Sequence, residues 1–296
     1  MTHSSRATRH LITVGLPLMA LALVLGSRAR FVEAAEESTT EDSLEIVPIS
    51  KVEWTPLNPA RGDASPQAGT LWGDRAASPQ TGFLVKFADG FSSPPHIHNV
   101  TYRGVVISGE IHNDDPEAQA MWMPTGSFWT QPAGEVHITS AQGASNMAFI
   151  EIESGPYLVW PPEQATDNGE RPVNVHPSNL VWLNETNTSW ITAEGPEIAF
   201  VWGQPRNGKS NGTLLRLPAG FAGELIVEAA ELKAVVIKGN VGLQPGGKTE
   251  SNTLAPGSYF RSEGGASHVI RAHEGASTLY LRSEGTFKVN EASIAQ

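Results

Sequence analysis

The chain has 296 residues, no cysteine and a formal net charge of −11 at pH 7, with hydrophobic residues making up 40%. Without cysteine there is no disulfide and no thiolate metal ligand, so the fold has to rest on core packing. The acidic balance argues against nucleic acid and against anionic membrane as partners, and it leaves small ligands open.

Residues 1–10 carry Arg6 and Arg9 and no acid, residues 11–26 are almost all apolar, and Val32-Glu33-Ala34 offers small residues at a cleavage site. This is the layout of a secretory signal peptide over 1–34. The alternative is an uncleaved N-terminal anchor, for which the apolar stretch is marginal as a full membrane span. The expectation is therefore a secreted or periplasmic protein with no stable membrane association after cleavage. Cleavage would remove four Arg and one Glu and leave the remainder more acidic still. Residues 35–50 begin acidic and polar and read as a flexible lead-in.

From residue 51 onward, short apolar runs alternate with Gly, Pro, Asn, Asp and Ser. Gly82-Phe-Leu-Val-Lys-Phe87, Gly104-Val-Val-Ile-Ser108, Met147-Ala-Phe-Ile-Glu-Ile152 and Ala234-Val-Val-Ile-Lys238 are examples. Such runs predict an all-β sandwich or barrel. The chain also repeats. A shift of 130 residues superposes Trp72-Gly73 on Trp202-Gly203, Gly90-Phe91 on Gly220-Phe221 and Val105-Val106-Ile107 on Val235-Val236-Ile237. In all it gives ten identities over the 39 positions from Leu71 to Gly109. One β-unit thus occurs twice, over 51–160 and 181–290. The polar, turn-rich stretch 161–180 between the two copies reads as a linker.

Two segments carry chemistry. Gly90 is followed after five residues by His96-Ile-His98, then Tyr102 and Gly109; Gly126 is followed after five residues by Pro132-Ala-Gly134-Glu-Val-His137. Alternate residues on a strand share a face, so His96 and His98 point the same way. With His137 from a neighbouring strand they form a ligand set for a divalent first-row metal with coordination positions left open. The alternative is three polar residues lining a metal-free barrel.

These two motifs, in this order, resemble those of the cupins, and through the repeat the resemblance covers both copies. It implies a bicupin: two tandem jelly-roll barrels after the signal peptide. It also implies a divalent ion (zinc, iron, manganese or nickel) held by His96, His98 and His137. The position where cupins place a glutamate is Tyr102, a neutral phenol and a poorer donor to a cation. A supporting role beside the metal, orienting water or substrate, is expected of it. The second copy has Ile226, Glu228 and Leu232 where the first has His96, His98 and Tyr102, and keeps only His268 opposite His137. It reads as a degenerate half.

The remaining candidates are weaker. Glu135 reads as a solvated turn carboxylate and His112 as a surface histidine; His176 and His273 stand alone. Trp72 and Trp202 read as packing within each barrel, and Trp122 and Trp129 as packing near the motif. Four Asn-x-Ser/Thr sequons, at Asn99, Asn184, Asn187 and Asn211, receive no glycan assignment. The functional expectation is a mononuclear metal-dependent enzyme of dioxygenase, isomerase or hydrolase type. Its partner would be a small organic ligand in the N-terminal barrel. The competing class is a non-catalytic metal- or ligand-binding sensor, for which the cupin domain of certain anti-sigma factors offers a likeness. A homodimer is compatible with either.

Overall fold

In a computed structural model, which describes residues 44–292, the apolar runs become antiparallel strands joined by turns and four short 3-10 segments. The signal peptide expected over residues 1–34 lies outside these residues. Among the described residues no helix is long and apolar enough to cross a membrane.

The first copy builds a seven-stranded sheet in the order Val173–Val175, Phe128–Gln131, Tyr102–Asp114, Ile138–Ile152, Thr81–Phe87, Gln67–Trp72 and Thr55–Pro56. The second builds a six-stranded sheet in the order Leu44–Val47, Tyr259–Glu263, Glu231–Lys238, Ser277–Ser283, Asn211–Leu217 and Glu197–Gly203. Five successive strands of each sheet correspond under the sequence repeat and stand in the same order. A further five-stranded sheet runs Asn252–Leu254, Val241–Pro245, Ser267–Ala272, Ala222–Val227 and Phe287–Glu291, and a two-stranded ribbon pairs Ile97–His98 with Val159–Trp160. Among the described residues every sheet is open; none closes on itself.

Two long strands of the first copy correspond to broken pairs in the second. Tyr102–Asp114 matches Glu231–Lys238 plus Val241–Pro245, and Ile138–Ile152 matches Ser267–Ala272 plus Ser277–Ser283. The break falls at equivalent glycines. Gly109 and Gly239 have φ of 70° and 73°, a conformation that only glycine adopts without cost. In the first copy the ladder slips on either side of Ser108 and continues as a bulged, bent strand; in the second it stops.

Strand Thr81–Phe87 shows how period 2 divides the core. Phe83 and Val85 join a cluster inside the first copy with Tyr102, Trp129 and Ile150. Leu84 faces the other way and packs with Leu214, Val235, Tyr259 and Tyr280 of the second copy. Both faces are buried, so the run is continuously apolar. A separate cluster around Leu225, Phe260 and Phe287 fills the second copy. Burying each large side chain contributes about 1.5–3 kcal/mol.

Trp72 and Trp202 lie between the two copies, not within each as the sequence suggested. Trp72 stacks on Tyr259 of the second copy at 5.0 Å, and the Arg103 guanidinium of the first copy lies 3.9 Å over the ring of Trp202, whose indole donates to the Tyr280 hydroxyl at 2.7 Å. Each indole covers a glycine on the adjacent strand, Gly82 or Gly212, where a Cβ would overlap the ring. That cross-strand fit explains why the Trp-Gly pair repeats. Charge is buried here too. The Glu151 carboxylate accepts from Tyr280 at 2.6 Å and faces Arg282 at 3.4 Å, while Glu153 pairs with Arg103 at 2.6 Å and with Arg282 at 2.8 Å.

Two stretches are more ordered than expected. Leu44–Val47 fall in the stretch read as a flexible lead-in, yet they pair antiparallel with Tyr259–Ser262. Leu44 and Ile46 pack on the second copy's core, which the acidic residues preceding them hid. In the stretch read as a linker, Val173–Val175 adds an edge strand beside Phe128–Thr130.

Candidate metal centre

The three histidines meet at one point. Residues 92–96 run beside the start of strand Ile138–Ile152, with bridges Ser92↔Ser140 and His96↔His137. Pro94 and Pro95 interrupt the pairing because they have no N–H to give. His96 and His137 exchange both backbone hydrogen bonds, at 3.1 and 3.0 Å, and so stand directly opposite with side chains on one face. His98 follows two residues later, on the ribbon with Val159–Trp160. The turn before His137 is fixed by Gly134 at φ 77°. Its N–H donates to the His98 carbonyl at 2.8 Å, and a Cβ there would overlap Thr166. The Pro-x-Gly-x-x-His spacing is thus the spacing that sets His137 beside His98.

One ring nitrogen from each of His96, His98 and His137 lies within 4.8 Å of the others, the one such cluster among the described residues. Ring centroids are separated by 4.3 to 5.3 Å. The other nitrogens decide whether this set fits a metal. Each Nδ1 faces a backbone carbonyl: His96 to Pro94 at 2.9 Å, His98 to Leu158 at 3.0 Å and His137 to Glu135 at 3.2 Å. A carbonyl only accepts, so each Nδ1 carries the proton and each Nε2 keeps a lone pair. That is the arrangement of metal-ligating histidines, oriented and made more basic from behind. Burial, then the neighbouring imidazoles, holds His98 well below the ordinary range and His137 at about 3. Burial lowers His96 as well. All three are neutral at pH 7, the form that binds a cation.

Tyr102 is buried beside them, its hydroxyl 3.3 Å from His137 Nε2 and 2.8 Å from Asn113 Oδ1. The network fixes where its proton goes. Gln131 Nε2 donates to the Glu135 carbonyl at 3.3 Å, so Gln131 Oε1 accepts from Asn113 Nδ2 at 2.9 Å. Asn113 Oδ1 therefore accepts, from Tyr102 and from Thr139 at 2.8 Å each. The Tyr102 proton points away from the histidines and its oxygen lone pair faces them. Burial pushes the phenol's pKa up, so it is neutral.

Sequence reasoning missed Tyr157. Its ring stacks on His98 at 4.3 Å and its hydroxyl lies 3.2 Å from His98 Nε2. It arrives on a loop held by Asn99, whose side chain donates to the Pro156 carbonyl at 2.9 Å and accepts from Leu158 N at 2.8 Å. Asn99 is thus a brace, not an exposed sequon. The histidines open on a cavity of about 150 Å³ walled by Val85, Phe87, Phe91, Trp129 and Ile150. Trp129 lies flat over Gly104, so it both packs and lines the cavity.

The remaining candidates fall elsewhere. His112 is buried against Trp122, which corrects its reading as a surface residue: it sits on the opposite face of its strand from Asn113, under the loop that carries Trp122. Glu135 is half-buried, one carboxylate oxygen without a partner, in a separate cavity that also holds Asp167, Glu170 and Arg171. His176 caps the turn at Ser178, and His273 lies near Gly242. His268 bonds Ser262 at 2.7 Å inside the second copy, away from any second histidine.

Solved structures share this antiparallel β-fold. The chain is similar to a putative dioxygenase from Nostoc punctiforme, at 12% identity over 85% of each chain with a TM-score of 0.59. It is similar to the Lactobacillus farciminis oxalate decarboxylase formate complex, at 9% identity over 82% of this chain and 88% of that one, TM-score 0.53. It is also similar to salicylate 1,2-dioxygenase from Pseudoaminobacter salicylatoxidans with gentisate, at 15% identity over 86% and 85%, TM-score 0.53. Such identities establish fold alone. Residues 45–290 match the family described as a domain of unknown function, DUF4437, and the chain belongs to that family. No curated protein sequence matches it.

Proposed function

We propose that the protein is an exported bicupin, with barrels over 51–160 and 181–290 joined through 161–180. In this reading the first barrel is a mononuclear metal-dependent enzyme acting on a small organic ligand. The observation that carries it is the triple commitment of Nδ1 protons to backbone carbonyls, which makes every Nε2 an acceptor for one cation, the Tyr157 O–H that donates to His98 Nε2 at 3.2 Å turning aside when the cation binds. A divalent ion bound there would supply Lewis acidity or, if redox-active, oxygen activation. His96, His98 and His137 hold it. Tyr102 offers a fixed acceptor oxygen that orients a donor on the ligand, and Tyr157 closes the opposite side. The apolar walls exclude water. That the similar structures include salicylate 1,2-dioxygenase, a protein described as a putative dioxygenase and oxalate decarboxylase supports this class of chemistry.

The competing reading is a binding or sensor module of the same fold. It draws support from the lack of a carboxylate at the centre. Metal analysis of untagged protein, with oxygen uptake measured on a panel of small organic compounds, separates the two. A stoichiometric redox metal with uptake that disappears in His98→Ala supports the enzyme. Tightly held zinc with no turnover on any compound supports the sensor.

A further inference from the structure

The same cavity holds a feature that the metal does not explain. The loop before the first motif closes on itself. Leu57 N–H donates to the Pro66 carbonyl at 2.8 Å, Asn58 N–H to Ser65 Oγ at 2.8 Å, and Ser65 N–H to the Gly62 carbonyl at 3.0 Å. The Asn58 side chain accepts from Ala60 N–H at 3.1 Å and caps the short turn Pro59–Ala64. This places Leu57, Asn58 and Arg61 in the cavity lining beside His96 and His98. The Arg61 guanidinium lies 5.6 Å from the centroid of Phe91, itself part of the wall.

Among the described residues Arg61, Arg75, Arg206 and Arg271 are in no ion pair, and of these four Arg61 alone lines the cavity. The lining contains no Asp or Glu, in a chain that carries 31 acids against 20 bases. Arg61 is exposed, so it is open to a solute, and it is the one Lys or Arg in the lining. A guanidinium is a planar fork that matches a carboxylate with two hydrogen bonds. Size narrows the ligand further. The cavity measures about 150 Å³, and an apolar cavity of roughly that volume takes one benzene-sized ring. Phe87, Phe91 and Trp129 supply faces for such a ring.

We propose that the ligand of this site is a ring-sized organic monocarboxylate whose carboxylate is met by Arg61. The proposal rests on the metal-centre reading for where reaction takes place, but recognition of the anion needs only the loop and the walls. Its test is a binding titration followed by tryptophan fluorescence and calorimetry, with benzoate and its neutral analogue benzyl alcohol as probes. Wild type and Arg61→Met are compared, and bound metal is assayed in both. Wild type should bind benzoate at least tenfold more tightly than benzyl alcohol. Arg61→Met should lose roughly tenfold to a hundredfold in benzoate affinity, the scale of a charge-assisted hydrogen bond, with benzyl alcohol affinity and metal content unchanged. Equal affinity of wild type for the two probes, no binding of benzoate, or full benzoate affinity in Arg61→Met would overturn the proposal. A protein that holds no metal yet shows the Arg61-dependent preference would sink the metal reading and leave this one standing.

Discussion

Acidification should destabilise the metal-free protein through its histidine cluster, by an amount the structure sets. His98 and His137 are buried, and each gives its Nδ1 proton to a carbonyl, so a second proton must go onto Nε2. The three rings are crowded, with one ring nitrogen of each within 4.8 Å of the others. Burial first, and the neighbouring rings second, hold His137 at about 3 and His98 well below its ordinary value. In the unfolded chain both titrate near 6.5. Between those values the unfolded state binds more protons. Stability is therefore complete above about pH 6.5 and falls as the pH drops toward the folded value. Each pH unit in that window costs about 1.4 kcal/mol per histidine. At pH 5, His137 should remove about 2 kcal/mol, and His98 adds to that loss in the same direction. The assay is urea denaturation of chelator-treated protein from pH 7.5 to pH 5, for wild type and for the double variant His98→Leu, His137→Leu. Carboxylate titrations are common to both and cancel in the difference. The gap between the two proteins should close by that amount as pH falls. A gap that stays constant would refute the reasoning, since it would mean that the rings charge as readily in the fold as outside it.

Other outcomes follow from single contacts. Tyr102→Phe should leave metal content unchanged and cost about 1 kcal/mol or less, because Asn113 Oδ1 keeps its bond from Thr139; loss of the metal would make the phenol a ligand. Asn99→Ala, which frees the loop carrying Leu158 and Tyr157, should weaken metal affinity about 10- to 100-fold, as removal of a ligand's support does; unchanged affinity in a metal titration would show that the brace is idle. Gly104→Ala forces Trp129 off its strand and should cost about 1–3 kcal/mol, with a shift in tryptophan emission. Arg282→Met removes the nearer of two guanidinium partners of the buried Glu151 carboxylate, leaving Tyr280 and Arg103 at 3.9 Å, and should cost about 3 kcal/mol by urea denaturation; a loss under 1 kcal/mol would mean that Arg103 and Tyr280 suffice to hold the charge.

The histidines were legible because strand alternation and turn spacing both write themselves in sequence. His96 and His98 share a face at period 2, and Gly134 has to be glycine where the backbone turns beneath Thr166. The repeat was legible for a similar reason: Trp72 over Gly82 and Trp202 over Gly212 are the same cross-strand fit made twice. Tyr157 and Arg61 were not legible. Each lies on an irregular loop with no period, and each is brought to the cavity by the side chains of other residues, Asn99 for Tyr157 and Asn58 and Ser65 for Arg61, which look like ordinary turn residues in sequence. Arg61, among Asn, Pro, Gly and Asp, has the look of a solvated turn. The carbonyls behind the three Nδ1 atoms leave no trace in sequence at all. Trp72 and Trp202 were misplaced because burial between two copies and burial within one demand the same residue types.

The central claim is that three imidazoles hold one cation through Nε2. Anomalous diffraction at the metal edge, on crystals of the metal-loaded protein, tests it most directly. One peak per chain should lie about 2.0–2.2 Å from the Nε2 atoms of His96, His98 and His137. A peak bound elsewhere, or none at this cluster at full metal saturation, would contradict it.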